Sequence, residues 1–265
     1  MKMHRKIIGH ILISIVVLLS FIGGYICVQR AYYFYTGTPL LCRAVERGDL
    51  CEAQRLVTLG VSPARAKDDG ESYRAPIDIA IARKHLQIVQ YLVEHGAGRY
   101  NPRTGDDRLF VAAGIGSPEI LAYLMHCYPN HDKAELLYYA AGGDYAAYYG
   151  GGWQIHNVKY LLVHGAESGI NTAFVNGETA LHVAKSPEIA AYLLMHGAHL
   201  SVRTPSGHTP LYYAVARGDM TLMKFYVERG LDVNATDRRG ESILARAMAV
   251  GNPEIVAYLR AHGAR

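Results

Sequence analysis

At residues 209–219 the chain reads TPLYYAVARGD, and a related phrase recurs about every 33 residues. Each copy holds an internal alanine and then a second apolar run. The copies begin at Pro39, Ala75, Asp107, Glu135, Thr179, Thr209 and Ser242, and their internal alanines are Ala44, Ala80, Ala112, Ala140, Ala184, Ala214 and Ala247. A fixed period of this length predicts stacked helix pairs that form a solenoid rather than enclose a single core.

Each part of the phrase has a physical reason to recur. A Thr followed by Pro, as at Thr209, starts a helix because the hydroxyl caps free backbone N–H groups and proline already has a helical φ. Small internal alanines let neighbouring helices approach closely, while Ile88, Val89 and Leu92 form an apolar stripe on a second helix. We expect left-handed glycines to end the second helices at Gly60, Gly96, Gly165, Gly197, Gly230 and Gly263.

The copies closely resemble the ankyrin repeat, whose pattern runs T-P-L-H-x-A and later H-G-A-D-V-N. The matching pieces include TALHVA at 179–184, HGA at 196–198 and LDVN at 231–234. This resemblance covers residues 38–265 and implies an all-α fold, an ankyrin-repeat solenoid of about 6–7 helix-turn-helix repeats. It also implies a protein that acts by binding another protein.

The middle copies depart from this pattern. In the fifth copy the spacing from the internal alanine to the second helix shrinks from eight residues to five, which predicts a lost helical turn around 185–187. In the fourth copy the spacing stretches to about eighteen residues, so we expect an insertion at about 142–157, rich in Tyr and Gly. The third copy reads HCYP at 126–129 where a closing glycine is expected.

A second feature precedes the repeats. Residues 7–28 are overwhelmingly apolar, long enough to span a bilayer at ~1.5 Å per residue. Basic residues precede this run and Tyr32 to Tyr35 follow it. We therefore expect residues 1–6 in the cytoplasm, a transmembrane signal anchor at 7–28 and a juxtamembrane aromatic segment at 29–37. Cleavage of the apolar run, or lipidation of Cys27, is the alternative, although the run is long for a signal peptide.

The charge distribution argues against a nucleic-acid partner. The chain has a formal charge of +4, but four of its 27 Lys and Arg lie in the first thirty residues, which contain no acid. The rest of the chain contains 23 bases and 23 acids, so the repeat region is formally neutral. Broad attraction to nucleic acid therefore has no support, and recognition has to be local.

No pattern typical of an enzyme or a metal site occurs in the chain, neither H-E-x-x-H nor G-x-S-x-G nor a phosphate loop. Four histidines directly precede closing glycines, which places them in one structural column at helix ends: His95, His164, His196 and His262. His182 occupies the histidine position of the repeat, where we expect a capping role. Cys42 and Cys51 lie on consecutive helices, and unbridged thiols are favoured over a disulfide. We expect no enzyme activity, catalytic residue, cofactor, metal or small-molecule substrate.

The candidate binding residues fall in two groups. In ankyrin repeats, partners commonly contact the first helices and the turn tips, and the resemblance assigns these positions to Glu46, Arg47, Arg83, Ile115, Arg217, Arg238 and Arg239. The insertion adds aromatic residues of the kind enriched in binding hot spots: Tyr145, Tyr148, Tyr149 and Trp153. Alternatively, the insertion folds back over the degenerate fourth copy.

These observations lead to two functional hypotheses. In the first, the chain is a single-pass bacterial inner-membrane protein whose periplasmic ankyrin domain binds a protein partner, as an immunity protein that neutralises a secreted toxin or effector. Its second contact is the lipid bilayer, through the N-terminal helix. In the alternative, the chain is a periplasmic scaffold or chaperone that supports a resident enzyme, for example in oxidative-stress defence.

Overall fold

A computed structural model describes residues 37–64, 75–98, 107–143 and 155–265 of the chain. These residues belong to two compact units, residues 1–106 and residues 107–265. Three predicted features lie outside the described residues: the anchor at 7–28, Cys27 and the four aromatic residues of the insertion. Within the described ranges, no helix is both long enough and apolar enough to cross a membrane.

The described part of the first unit contains two helix pairs. Its helices are α1 (residues 37–46), α2 (Leu50–Thr58), α3 (Pro76–Ala82) and α4 (Leu86–Glu94). The Asp49 side chain accepts the backbone N–H of Glu52 (2.9 Å) and so caps α2. Helix α4 packs against both α2 and α3. Cys42 is buried whereas Cys51 is exposed with a free thiol, so the two cysteines are not bridged.

The second unit contains ten described α-helices. They are α5 (Arg108–Ile115), α6 (Pro118–Cys127), α7 (Lys133–Ala141), α8 (Ile155–Val163), α9 (Ala180–Val183), α10 (Pro187–Met195), α11 (Pro210–Ala216), α12 (Met220–Glu228), α13 (Ile243–Val250) and α14 (Pro253–Ala261). Short 3-10 turns lie at Ala166–Gly169 and Val175–Gly177. The described residues of both units contain no strand, and one isolated bridge joins Thr236 to Ser242.

The helices of the second unit form two layers. The first helices contact one another in the order α5, α7, α9, α11 and α13, and the second helices do so from α6 through α8 and α10 to α12. All seven internal alanines of the chain, from Ala44 to Ala247, are 0% exposed. Because alanine has only a methyl side chain, it permits this close approach of backbones. Within each unit, the described residues form packed helix pairs, as the repeat pattern predicted.

The helix boundaries follow the predicted chemistry. The Thr209 hydroxyl accepts the backbone N–H of Tyr212 (3.3 Å), and the Ser242 hydroxyl accepts that of Ala245 (3.1 Å). The six closing glycines have φ between 86° and 99°, a region that is strained for residues with a Cβ. Both predictions of local structure are therefore confirmed.

The shortened fifth copy takes the predicted form. Helix α9 has only four residues, and α10 begins immediately after Ser186, which confirms the lost turn. At the end of α7, Gly142 lies so close to the α9–α10 linker that a Cβ there would come 2.4 Å from the carbonyl oxygen of Val183. The backbone N–H of Lys185 donates to the carbonyl of Ala141 (3.1 Å), which joins the shortened repeat to α7.

Candidate functional site

The shortened helix α9 is completed by side chains from the following repeat. A four-residue helix leaves all its carbonyl groups without partners inside the helix. The Tyr226 hydroxyl donates to the carbonyl of Leu181 (2.9 Å). The Arg217 guanidinium donates to the carbonyls of His182 (3.4 Å) and Ala184 (2.7 Å). Arg217, predicted as a binding residue, therefore also holds the end of α9.

A buried carboxylate bridges the repeats on either side of α9. Glu178, 8% exposed, accepts the Tyr138 hydroxyl of α7 (2.8 Å) and the Tyr213 hydroxyl of α11 (2.7 Å). Hydrogen bonds to an ionised acceptor are about twice as strong as neutral ones. The bridge therefore holds the first helices in register where α9 is too short to fill the layer by itself.

His182 is fully buried and acts as a cap. Its Nδ1 atom accepts the backbone N–H of Thr179 (3.1 Å), so the ring proton resides on Nε2, which donates to the carbonyl of His208 (3.2 Å). Burial lowers the pKa of His182 to about 4. The ring is therefore neutral at pH 7, and the predicted capping role is confirmed.

A cleft of about 530 Å³ lies between two neighbouring turn tips of the second unit. We call it the tip cleft; its walls are Pro205, Ser206 and His208 of the α10–α11 loop, Asp237, Arg238, Arg239 and Glu241 of the α12–α13 loop, and Tyr212 and Arg246 of the helices. The tips are tied together because the backbone N–H of Arg238 donates to the carbonyl of Ser206 (2.9 Å). Arg203 adds two bonds, to the carbonyls of Gly207 and Thr236, each 3.0 Å long.

The polar side chains of the tip cleft are stacked. The His208 and Tyr212 rings are parallel within 2°, with centroids 3.9 Å apart, and the Arg246 guanidinium lies 5.5 Å from the Tyr212 centroid. Nε2 of His208 is 3.7 Å from Oδ2 of Asp237. Burial alone raises the pKa of Asp237, but the backbone N–H groups of Glu241 and Arg239 and the nearby His208 bring it below its usual value. Asp237 is therefore ionised at neutral pH.

The outer layer explains the histidine column. The rings of His95, His164 and His262 each stack on the tyrosine four residues earlier, with centroids 4.0 Å apart, and each Nδ1 contacts that tyrosine's carbonyl. The His196 ring lies 4.6 Å from that of Tyr192 at a tilt of 44°, and its Nδ1 contacts Glu167. In the sixth copy Arg229 takes this position and lies 3.6 Å over the Phe225 ring. No group of three or more His, Cys, Asp or Glu among the described residues could hold a metal ion.

The structure places the predicted binding residues unevenly. Arg238 and Arg239 are exposed and share the tip cleft, whereas Glu46, Arg47 and Arg83 are exposed in the first unit. Ile115 packs into the core with 3% exposure, because α5 turns that position inward. The insertion residues Tyr145, Tyr148, Tyr149 and Trp153 lie outside the described residues.

Several residues of this surface escaped sequence reasoning: Tyr138, Glu178, His208, Tyr212, Tyr213 and Arg246. One signal was present, since a Tyr-Tyr pair directly precedes both Ala140 and Ala214. The first tyrosine of the pair on α7, Tyr138, and the second tyrosine of the pair on α11, Tyr213, reach the same carboxylate. Nothing in the sequence alone indicated that Glu178 would be their acceptor.

Stacked helix pairs with polar, aromatic tips define a class of repeat proteins that work through their surface. The family model described as "Ankyrin repeats (3 copies)" matches residues 109–204, 144–237 and 185–265. The chain therefore belongs to the ankyrin-repeat family. Ankyrin repeats mediate protein–protein interaction and are typically not enzymatic. This agrees with the prediction of a protein partner.

Three known proteins illustrate the similarity. Alpha-latrocrustotoxin-Lt1a of Latrodectus tredecimguttatus is 31% identical over 250 residues, which are 87% of this chain and 17% of that protein. The ankyrin repeat domain of Bcl-3 has a TM-score of 0.50 at 24% identity and covers 83% of this chain and 97% of its own. The Bdellovibrio bacteriovorus complex of the predatory endopeptidase Bd0816 with immunity protein Bd3460 contains a chain with a TM-score of 0.51 at 22% identity, covering 71% of this chain and 97% of that chain.

These similarities differ in what they show and in how much of each relative they cover. At identities below 25%, the two solved structures show the fold alone. Among the curated relatives compared, this chain spans between 10% and 39% of their length. The similarity therefore covers the repeats of those proteins rather than the whole molecules.

Proposed function

We propose that the chain is a membrane-anchored bacterial protein whose ankyrin repeats face the periplasm and neutralise a secreted protein toxin by binding it. The observation that carries the proposal is the rigid, aromatic and arginine-rich surface of the tip cleft. Tyr and Arg dominate binding hot spots because they offer a large contact area and several donors at a small entropic cost. Tyr212, stacked on His208 and 5.5 Å from the Arg246 guanidinium, is already ordered in this way.

Two further observations support an immunity role and a periplasmic location. One solved chain of similar fold belongs to a complex between a predatory endopeptidase and an immunity protein. The apolar run at 7–28, with basic residues before it, is long enough for an anchor with the N-terminus inside. Exported ankyrin domains suit a bacterial host, because those of eukaryotes mostly face the cytosol.

Protection of cells is the direct test of the proposed function. Cells lacking the gene should grow normally alone and lose viability only when exposed to the attacking toxin, and the full chain should restore survival. An Arg238→Ala/Arg239→Ala double variant should protect less well, because it removes two exposed cleft arginines. Arg260→Ala, an exposed arginine on α14, serves as the matched control and should protect fully.

A growth defect without any attacker would reject toxin neutralisation. It would favour the scaffold or chaperone hypothesis, which predicts loss of a resident enzyme's activity in the same cells. Replacing Tyr145, Tyr148, Tyr149 and Trp153 with alanine tests the insertion in the same assay. Loss of protection with unchanged helicity would assign these rings to binding, whereas loss of helicity would assign them to the fold.

Topology needs its own experiment. A reporter that is active only in the periplasm, fused after Arg265, should be active in cells that carry the full chain. An inactive fusion, with the protein present in the membrane fraction, would contradict the proposed orientation.

A further inference from the structure

We propose that the tip cleft receives an acidic side chain of the protein partner, whose carboxylate is bound by Arg246 and flanked by Arg238 and Arg239. This inference rests on the proposed function only in taking the partner to be a protein. It deepens that proposal by stating which chemical group the partner presents. The argument depends on the guanidinium of Arg246, on the charge of the cleft and on its rigidity.

Arg246 contributes a guanidinium to the wall of the cleft. Its Nε atom is buried and out of reach of a partner, so an incoming group would contact the part of the side chain that faces the cleft. A carboxylate matches a guanidinium in geometry, because its two oxygens can accept two parallel N–H bonds.

The charges of the cleft favour an incoming carboxylate. Three arginines face two acids, Asp237 and Glu241, so the lining has a formal charge of +1. Asp237 is already engaged: its Oδ1 accepts the backbone N–H groups of Arg239 and Glu241, each at 2.8 Å, and its Oδ2 faces His208. One further carboxylate would therefore make the lining neutral.

The cleft is also organised before any partner arrives. Bonds from Arg203 and from the backbone of Arg238 hold its two tips together, and the parallel His208 ring keeps Tyr212 beneath Arg246. A rigid site loses little conformational freedom on binding. A volume of about 530 Å³ accommodates one side chain together with part of the backbone that carries it.

Peptide binding tests the inference without knowledge of the natural partner. The full chain is embedded in phosphatidylcholine nanodiscs, and fluorescence anisotropy follows a labelled Gly-Glu-Glu-Gly peptide or its glutamine analogue. We expect the glutamate peptide to bind at least about tenfold more tightly, because only a carboxylate forms a charge-assisted pair with Arg246. Equal binding of the two peptides would overturn the proposal.

Variants locate the binding within the cleft. Arg246→Gln should weaken the glutamate peptide by about tenfold or more, whereas Arg260→Gln, the same change on α14, should stay within about twofold. If Arg246→Gln lowers the thermal midpoint, exposed Arg239→Gln takes its place, with an expected loss of about threefold. Unchanged affinity in these cleft variants would reject the site.

A free anion is the competing occupant. Inorganic phosphate, added at constant ionic strength, should displace the glutamate peptide no better than chloride does. Complete displacement by phosphate would assign the cleft to a small anion and overturn the inference. Because none of these measurements uses a toxin, peptide binding without cell protection would refute only the proposed function, and protection without peptide binding would refute only the acidic contact.

Discussion

Replacing Asn157 with alanine should destabilise the second unit more than any change at an exposed cap. Asn157, on α8, is 0% exposed, and its Nδ2 donates to the carbonyls of Ala112 (3.0 Å), Ala113 (2.9 Å) and Gly116 (3.0 Å). These groups lie at the end of α5; the Ala112 carbonyl also accepts the backbone N–H of Gly116 (3.0 Å), so Asn157→Ala would leave the carbonyls of Ala113 and Gly116 without this donor. One side-chain amide from a different repeat therefore closes α5.

The expected loss follows from this geometry. An amide has two N–H groups for three acceptors, so about two full hydrogen bonds are lost, and each buried carbonyl left unsatisfied costs about 1–3 kcal/mol. Asn157→Ala should therefore lower the free energy of unfolding by about 3 kcal/mol. Asn157→Asp should be worse at neutral pH, because it places a carboxylate among carbonyl oxygens and offers no donor until it is protonated.

The assay is urea unfolding of the full chain in detergent, followed by circular dichroism, with hydrogen exchange of the α5 amides as a local measure. Asn252→Ala is the matched control. Its side chain caps α14 by accepting the N–H groups of Glu254 (3.1 Å) and Ile255 (3.3 Å), and its loss should cost about 1 kcal/mol. Equal losses for Asn157→Ala and Asn252→Ala would refute the reasoning, as would equal stability of the alanine and aspartate variants at pH 7.

Three further predictions use the same unfolding assay. The pKa of His182 is about 4 in the folded protein and about 6.5 in the unfolded chain. The contribution of His182 to stability is therefore complete above about pH 6.5, and the free energy of unfolding should fall by roughly 3 kcal/mol by about pH 4. His182→Gln should flatten this pH profile, and an unchanged profile would contradict the prediction. Tyr138→Phe and Tyr213→Phe should each lower the free energy of unfolding by roughly 1.5–3 kcal/mol, because each removes a hydrogen bond to Glu178. The control is Tyr192→Phe, whose ring lies under Lys159, and it should change the free energy of unfolding by less than about 0.5 kcal/mol. Arg217→Met should lower the free energy of unfolding by about 1–2 kcal/mol and speed hydrogen exchange in α9. A loss of stability no larger than that of exposed Arg238→Met would argue against a role of Arg217 in holding the end of α9.

Local features of the fold could be predicted because they depend on neighbouring residues. The Thr209 cap and the left-handed closing glycines are set by side-chain chemistry within a few positions. The shortened fifth copy followed in the same way, from the spacing of five residues between Ala184 and Ile189.

The candidate site could be predicted only in part. Arg238 and Arg239 were assigned to a turn tip, and the structure places both in the tip cleft. Arg217 was assigned to the same class of surface residue, although its guanidinium is engaged by the carbonyls of α9. A repeat alignment gives the position of a side chain but not what a neighbouring repeat presents to it, so the two kinds of arginine look alike in sequence.

The sequence by itself determined the repeat, its helix boundaries and the family, because these depend on contacts within about four residues of each other. Only the tertiary structure decided that Asn157 closes α5, that Glu178 joins Tyr138 to Tyr213 and that Arg246 reaches the tip cleft. These partners are separated by 35 to 45 residues in the bonds of Asn157 and Glu178, about one repeat or more along the chain. The physical reason is that a hydrogen bond between repeats depends on how adjacent helix pairs stack, and that geometry exists only once the alanines have brought the backbones together.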